Sequence, residues 1–489
     1  MNKNAFLSLV GAVLLTAGCT MAPKYARPEA PVPAEWPGGA AYQNIQTTAD
    51  APAAPDLGWR QFFTDEKLQQ VIATALTNNR DLRLAALNVE EAQAMYGIKR
   101  AELLPAVNAV GSGSKEKVPA DLSSTGTVRT SERFSVNLGV TSWEIDFFGR
   151  IRSLKDRALE EYLATEQARR STQIMLVASV ADTYLALAAD RENLTLAEST
   201  LAAQQDAYKM NKRRHDLGLV PDLDLYRAQA QVDTARGDLA RFRQLVAQDE
   251  NALNLLLGGP VRGELLPAGL TGVTPPKEIS PGVSSEVLLR RPDVLQAESM
   301  LRAANADIGA ARAAFFPRIS LTGAFGTSSS DLSRLFKSGQ GSWNFAPQIV
   351  MPIFDARIWS AHRAAKVQQE IAVTQYEKAI QSAFREVADT LAVRGTVDQQ
   401  VAAQQSLVNA IAETYRLSSS LYDKGIDSYL SVLDAQRSLY AARQGLVYLR
   451  LAKLANDVRL YAVLGGGWQT EPSPGSAAMS GSSPEHRRD

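Results

Sequence analysis

The chain has 489 residues with 52 basic and 52 acidic side chains, so its formal net charge at pH 7 is zero. Because no long run of one sign occurs, the composition argues against a nucleic-acid surface. The three histidines, His215, His362 and His486, are far apart and lack a second ligand at metal spacing, so we expect no metal site and no cofactor. The single cysteine, Cys19, cannot form an intrachain disulfide.

Residues 1–18 have the pattern of a secretory signal peptide. A short basic start precedes an apolar run from Phe6 to Ala17, which is too short to span a bilayer comfortably. The segment Leu15-Thr16-Ala17-Gly18-Cys19 resembles a bacterial lipobox, although Thr16 stands where that pattern usually has Leu. This resemblance implies that Cys19 is lipidated, and Thr20 after it favours delivery to the outer membrane. The alternative is an ordinary signal peptide with a chance cysteine.

The first half of the chain, residues 57–259, is predicted to begin with a helix and a β-hairpin. Residues 19–56, which precede it, are rich in Pro and Ala and predict an extended strap between the lipid anchor and the body. Thr64 is the predicted cap of the helix, which ends at Leu104 before Pro105. In the hairpin, residues 106–147, apolar and small polar side chains alternate from Arg133 to Trp143 and more weakly over residues 106–114.

Two long helices complete the first half. The segment from Arg152 to about Asp216 has no proline and consists of helix-favouring residues, which predicts a rod on the order of 95 Å long. Gly218 and Pro221 turn the chain at a tip, and a second helix follows from Asp222 to Leu257. Apolar residues at spacings of three and four predict a coiled-coil seam in the first rod: Ile174, Val177, Ala181, Tyr184 and Ala188.

The second half, residues 286–468, repeats the first. After a Pro- and Gly-rich linker at 260–285, the stretch from Asp293 to Pro317 matches Asp81 to Pro105 without a gap, and a constant shift of 207 residues follows. This duplication predicts a helix at 285–316, a β-hairpin at 318–354, and long helices at 358–423 and 428–464 with a tip near Gly425. The Ser-, Pro- and Gly-rich residues 469–489 are predicted to be a disordered tail.

The strands suit a membrane barrel. Each predicted strand has about 9–11 residues, which is the length that a tilted strand needs to cross a bilayer. A soluble sheet buried on one face gives the same alternation, but the long helices favour a tube over a globular domain. Four strands in one chain would leave open edges in lipid, at several kcal/mol for each unpaired group, so closure requires several copies. Three copies supply twelve strands and twelve helices, enough to enclose a lumen.

A family resemblance covers nearly everything from Cys19 to Trp468. Its most specific part is seven short stretches: Leu57-Gly58-Trp59-Arg60, Asn79-Arg80-Asp81-Leu82, Trp143-Glu144-Ile145-Asp146, Arg290-Arg291-Pro292-Asp293, Gly309-Ala310-Ala311-Arg312-Ala313-Ala314-Phe315-Phe316-Pro317, Leu433-Asp434-Ala435-Gln436-Arg437-Ser438 and Gly465-Gly466-Gly467-Trp468. With them the chain resembles the outer-membrane factors, the TolC-like ducts, and within these the OprM-type lipoproteins of resistance–nodulation–division (RND) drug pumps. The resemblance implies a homotrimer with a membrane β-barrel and a periplasmic α-barrel. It also implies docking to a periplasmic adapter and an inner-membrane RND transporter, with drugs or solvents as cargo.

The resemblance also places functional residues at the two tips. Tyr422, Asp427 and Asp434 match the constriction of the family, and Asp224 matches a gate aspartate. Three copies of Asp427 would form a carboxylate ring that favours cations. Arg437 is a candidate donor to such acids. The tip residues are predicted adapter contacts: Gly218, Leu219, Val220, Gly425 and Ile426. The known duct has Arg where this chain has Asp427 and Asp where it has Ser431, so the closed gate here must use different bonds.

Two other functions compete with a passive duct. A non-transporting coiled-coil scaffold lipoprotein would account for the long helices and Cys19, but not for four strand-like segments at matched positions. A lipid-anchored enzyme would need a catalytic set, and the sequence shows neither a nucleotide loop nor a Ser/His/Asp arrangement, so we predict no enzymatic activity.

Overall fold

The computed structural model describes residues 20–42, 53–280 and 284–468. The predicted signal peptide, Cys19, part of the predicted strap and the predicted tail lie outside these residues. Twelve helices and strands make up most of the described chain: α1 (Trp59–Phe62), α2 (Glu66–Asn78), α3 (Arg80–Ala101), β1 (Val107–Val118), β2 (Arg129–Glu144), α4 (Arg150–Asp216), α5 (Asp222–Leu257), α6 (Pro292–Ala313), β3 (Arg318–Ser329), β4 (Gly341–Val350), α7 (Ala356–Asp423) and α8 (Tyr429–Val463).

The chain divides into two compact units, and each sequence repeat contributes to both. The first, here called the sheet unit, contains the described residues up to 29 together with 88–166 and 296–377. The second, the helix unit, contains 30–87, 167–295 and the described residues from 378 onward. Helices α4 and α7 therefore contribute one end to each unit, whereas α5 and α8 lie wholly in the helix unit.

The sheet unit holds one antiparallel sheet in the order β1-β2-β3-β4. Its large apolar side chains face outward: Leu138 pairs with Phe325, Phe325 pairs with Trp343, and these last two are 64% and 80% exposed. By contrast, Ser135 on the other face of β2 is buried. A soluble sheet would bury its apolar face, so this orientation is typical of strands in lipid. The exposed apolar face therefore favours a membrane barrel over a soluble sheet, a choice that the alternation of side chains in the sequence leaves open.

The helix unit is held together by a helical seam. All five predicted seam residues, from Ile174 to Ala188, are buried. Helix α4 contains a window that is apolar enough for a membrane span, but most of that window is buried, as in a packed core helix. Near the chain end, the Tyr461 ring stacks on Phe62 at 4.0 Å and its hydroxyl donates to the Leu57 carbonyl at 2.6 Å.

The helices near the start of each half differ from their predictions. The predicted single helix from Thr64 to Leu104 is two helices, because Asn79 interrupts it with an extended backbone and its side chain accepts from the Leu82 N–H. The cap of α2 is Asp65, whereas the Thr64 hydroxyl donates to the Pro275 carbonyl. In the second half, the predicted helix from residue 285 is a 3₁₀ segment, Ser285–Arg290, and α6 begins only at Pro292, a residue suited to a first helical turn.

Candidate functional site at the helix turns

Both helical hairpins turn through the same backbone motif. Gly218 and Gly425 have φ near +71°, a left-handed conformation that glycine adopts without strain. After each glycine the next N–H returns to the helix, from Leu219 to the Arg214 carbonyl and from Ile426 to the Leu421 carbonyl, both at 2.9 Å. The turn leaves Leu219 and Ile426 about 70% exposed, and Val220 is half-buried. The tips therefore present apolar side chains to solvent, as a docking surface requires.

Tyr422, a predicted gate residue, lies in an aromatic cluster. Its hydroxyl donates to Asn211 Oδ1 on α4 at 3.2 Å. Its ring lies 5.3 Å from the Tyr429 ring, and the Arg214 guanidinium lies 5.1 Å from its centroid. Buried Ala228, Val432 and Leu433 complete the apolar side of the cluster, with Tyr208 and Tyr415 half-buried against it. We call the set Asn211, Arg214, Tyr422 and Tyr429 the tyrosine cluster.

The predicted gate acids each have a local partner. Asp427 Oδ1 accepts from the Ser428 N–H at 2.6 Å and from Ser431 Oγ at 3.0 Å, which fixes the start of α8. Asp434 lies 3.8 Å from Arg437 on the same helix, and both are well exposed. Asp224 lies 3.4 Å from Arg227, one turn further along α5. The charge of Asp224 also acts on Tyr429 of the tyrosine cluster, and the gate role of the three acids remains a prediction.

Three residues of the tyrosine cluster were not predicted from the sequence. Asn211 and Tyr429 are buried, and burial raises the pKa of Tyr429 to about 12. The internal repeat could have pointed to the contact between Tyr422 and Tyr429. The shift of 207 residues places His215 at the position of Tyr422 and Asp222 at that of Tyr429. In the first turn His215 Nε2 lies 2.6 Å from Asp222 Oδ1. The two turns thus have an ion pair and an aromatic pair at equivalent positions.

Across residues 20–42, 53–280 and 284–468, no three His, Cys, Asp or Glu side chains are grouped so that they could hold a metal ion. The features that remain are a lipid-facing sheet and long helical hairpins with exposed apolar tips. Together they define the class of the protein, a β-barrel membrane channel with helical extensions.

Comparison with known proteins identifies the family. Residues 71–259 and 283–466 match the family described as Outer membrane efflux protein. Two relatives from Pseudomonas putida, the antibiotic efflux pump outer membrane protein ArpC and the toluene efflux pump outer membrane protein TtgC, are each 47% identical over 98% of this chain and 99% of their own length. The open state of the MtrE outer membrane channel of Neisseria gonorrhoeae superimposes with a TM-score of 0.83 at 36% identity, over 92% of this chain and 99% of that one.

The chain belongs to the outer membrane efflux protein family. This membership confirms the predicted family, the mainly α fold class with a membrane β-barrel, the outer-membrane location and the function as an efflux channel. The family is one of channels and not of enzymes. A scaffold without transport, the alternative prediction, leaves the lipid-facing sheet unexplained.

Proposed function

We propose that three copies of this chain form the passive, gated outer-membrane duct of a three-part efflux system. The observation that carries the proposal is the four-stranded sheet, with its apolar face outward and no further strand on the outer edges of β1 and β4 within the described residues. Unpaired backbone groups inside lipid cost several kcal/mol each, so these edges must meet those of other copies. Three copies close a barrel of twelve strands. Cys19 would then carry the lipid that anchors each copy.

The same proposal assigns partners and cargo. Leu219, Val220 and Ile426, beside the tip glycines Gly218 and Gly425, would receive the helical hairpin of a periplasmic adapter, which connects the duct to an RND transporter in the inner membrane. The exposed apolar side chains at both tips support this assignment. The names of the two relatives from Pseudomonas putida refer to antibiotics and toluene, which supports hydrophobic drugs and solvents as cargo.

The proposed gate lies at the tyrosine cluster and the neighbouring acids. Asp427 fixes the turn before α8 through the Ser428 N–H and the Ser431 hydroxyl, and three copies of it around an axis would form an acidic ring. Tyr422 would narrow the passage beside it, while Asp224, Asp434 and Arg437 would add charges within reach of neighbouring copies. Opening of the gate would then require the turn to lose the hydrogen bonds that Asp427 accepts.

Planar-bilayer recording of the purified protein tests both channel and gate. The wild type should give a small conductance, and Asp427→Ala should raise it severalfold because the turn loses both hydrogen bonds. Glu413→Ala is the matched control, since Glu413 is an exposed helix acid whose ion-pair partner, Arg416, lies in its own helix. Absence of any conductance from folded trimers would contradict the duct. Equal currents from wild type and Asp427→Ala would remove Asp427 from the gate.

A further inference from the structure

A cavity of about 610 Å³ lies within the helix unit, away from the tips. Its volume falls within the range of small-molecule sites, about 300–1,000 Å³. Helices α4, α7 and α8 form its walls, and the linker between the two repeats passes over it at Ala268–Gly272. Apolar side chains from three helices line part of it, namely Leu196, Val408, Leu446 and Val447. The proposed gate residues and adapter contacts are not among the residues that line this cavity.

Two arginines on α8 face the cavity. Arg443 and Arg450 are seven residues apart, which places them two turns apart on one side of the helix. Arg450 donates to Gln405 Oε1 at 3.1 Å and lies 3.9 Å from Glu192 Oε1, while the other oxygen of Glu192 accepts from the Leu270 N–H at 3.0 Å. Within the described parts of the chain, Arg443 has no hydrogen-bond or ion-pair partner. The lining therefore holds two guanidinium groups against the one carboxylate of Glu192, which leaves the charge of Arg443 unneutralised.

The internal repeat indicates that this charge is specific to the second half. The shift of 207 residues relates Arg443 to Arg236 and Arg450 to Arg243. In the first half both have acidic partners, because Arg236 pairs with Asp233 at 2.9 Å and Arg243 lies 3.7 Å from Glu198.

The positions equivalent to those two acids hold neutral residues in the second half. Tyr440 stands at the position of Asp233, and Gln405 stands at that of Glu198. The same pair of arginines thus keeps its place in both halves, but at the cavity Arg443 has no acid and Arg450 has only the 3.9 Å contact with Glu192. A guanidinium that has lost its carboxylate can take a carboxylate or phosphate from a ligand in the same bidentate geometry.

We propose that this cavity is a binding site for an amphipathic anion, an unbranched alkyl chain that ends in a carboxylate or a phosphate. The alkyl chain would lie against Leu196, Val408 and Leu446, and the head group would accept from Arg443 and Arg450. Neutral solvents and cationic drugs lack the charge that the two arginines require. Ligand binding to this site does not depend on the proposed channel activity.

Calorimetric titration of the trimer in lipid nanodiscs, with empty nanodiscs subtracted, tests the proposal. Dodecanoate below its micellar concentration should bind at one site per chain, and Arg443→Gln should weaken that binding at least tenfold. Arg236→Gln is the matched control, because it removes the equivalent arginine of the first half and should leave binding unchanged. Decanoate should bind about fifteenfold more weakly than dodecanoate, since it is two methylenes shorter and each methylene adds about fourfold to the affinity.

Further ligands identify the head group. Dodecanol, which has the same chain without the charge, should show no saturable binding. Dodecyl phosphate is compared with dodecanoate, and tighter binding of the phosphate indicates a lipid head group as the natural source, whereas tighter binding of the carboxylate indicates a free fatty acid. The proposal is overturned if folded Arg443→Gln trimers bind dodecanoate as the wild type does, or if Arg236→Gln weakens binding equally. Conductance measured on the same variants tests the proposed channel activity separately, so a failure of the binding site can be distinguished from a failure of the proposed function.

Discussion

Residues at equivalent positions hold the two helical turns by different chemistry. In the first turn His215 contacts Asp222, and this hydrogen bond, with a smaller contribution from Asp216, raises the pKa of His215. In the second turn, Tyr422 and Tyr429 are a ring pair, and burial holds the pKa of Tyr429 near 12. Only the first turn therefore changes charge near neutral pH, so we expect the two turns to respond differently to acidification.

The first turn should be more stable at pH 6 than at pH 8. A histidine whose pKa is raised by folding contributes stability that is complete below its ordinary pKa of about 6.5 and is lost as pH rises through the raised value. Amide hydrogen exchange of residues 216–222, corrected for the intrinsic rate at each pH, should be slower at pH 6. His215→Gln should abolish this difference, while residues 423–429 should show none in either protein.

His362→Gln is the matched control for this measurement. His362 lies in the sheet unit, where burial lowers its pKa, so its removal changes the histidine count without touching the turn. The difference between pH 6 and pH 8 at residues 216–222 should survive in this variant. If the difference between pH 6 and pH 8 persisted in His215→Gln, the pH dependence would belong to another group.

At the scale of elements, a buried carboxylate on α6 holds the N-terminal segment. Glu298 accepts from Tyr25 at 3.0 Å, from Arg27 at 3.0 and 2.7 Å, and from Arg302 at 2.8 Å. Burial alone would raise the pKa of Glu298, but the hydrogen bonds from Arg27, Arg302 and Tyr25 outweigh it and lower the pKa. The contact is therefore stable above the ordinary carboxyl pKa and is lost only as pH falls through the lowered value.

Glu298→Gln should release the segment of residues 20–29 from the sheet unit. The amide cannot neutralise two guanidiniums, and the lost charge-assisted hydrogen bonds correspond to about 1–3 kcal/mol. Trypsin should then cleave after Lys24 several times faster than in the wild type, whereas Pro28 protects the bond after Arg27 in both proteins. Asp307→Asn is the control, because its partly exposed pair with Arg157 is worth less than about 1 kcal/mol. Equal cleavage rates in Glu298→Gln and the wild type would show that other contacts hold the segment.

The internal repeat made the main helices and turns predictable from the sequence. Short interruptions within a helix could not be predicted. The long helices follow from uninterrupted helix-favouring composition, and the matched glycines place both turns. Asn79 could not be identified as a break because asparagine is tolerated inside a helix, and its cap to Leu82 together with its bond to the Leu256 carbonyl depends on tertiary packing. The partners of Tyr422 were missed for the same reason, since Asn211 lies 211 positions away in the sequence.

At the scale of the whole molecule, the duplication supplies too few strands for closure. Two hairpins from two repeats give four strands, and the outer edges of β1 and β4 carry no further strand within the described residues. The free edge of β4 must then meet β1 of another copy, and repetition of that contact around a ring ends when the barrel closes.

Cysteine cross-linking across that contact should count the copies. A cysteine at Ala346 in β4 is combined in turn with one at Asn108, Val110 or Ser112 in β1, which the strand register places on the same face of the sheet. Neighbouring strands bring Cα atoms about 4.5–5.5 Å apart, within disulfide range. Oxidation of the matching pair should give a reducible ladder that ends at three chains, while each single variant stays uncross-linked. Because three copies supply twelve strands, a ladder that continues beyond three chains, or none in any combination, would contradict closure by a trimer.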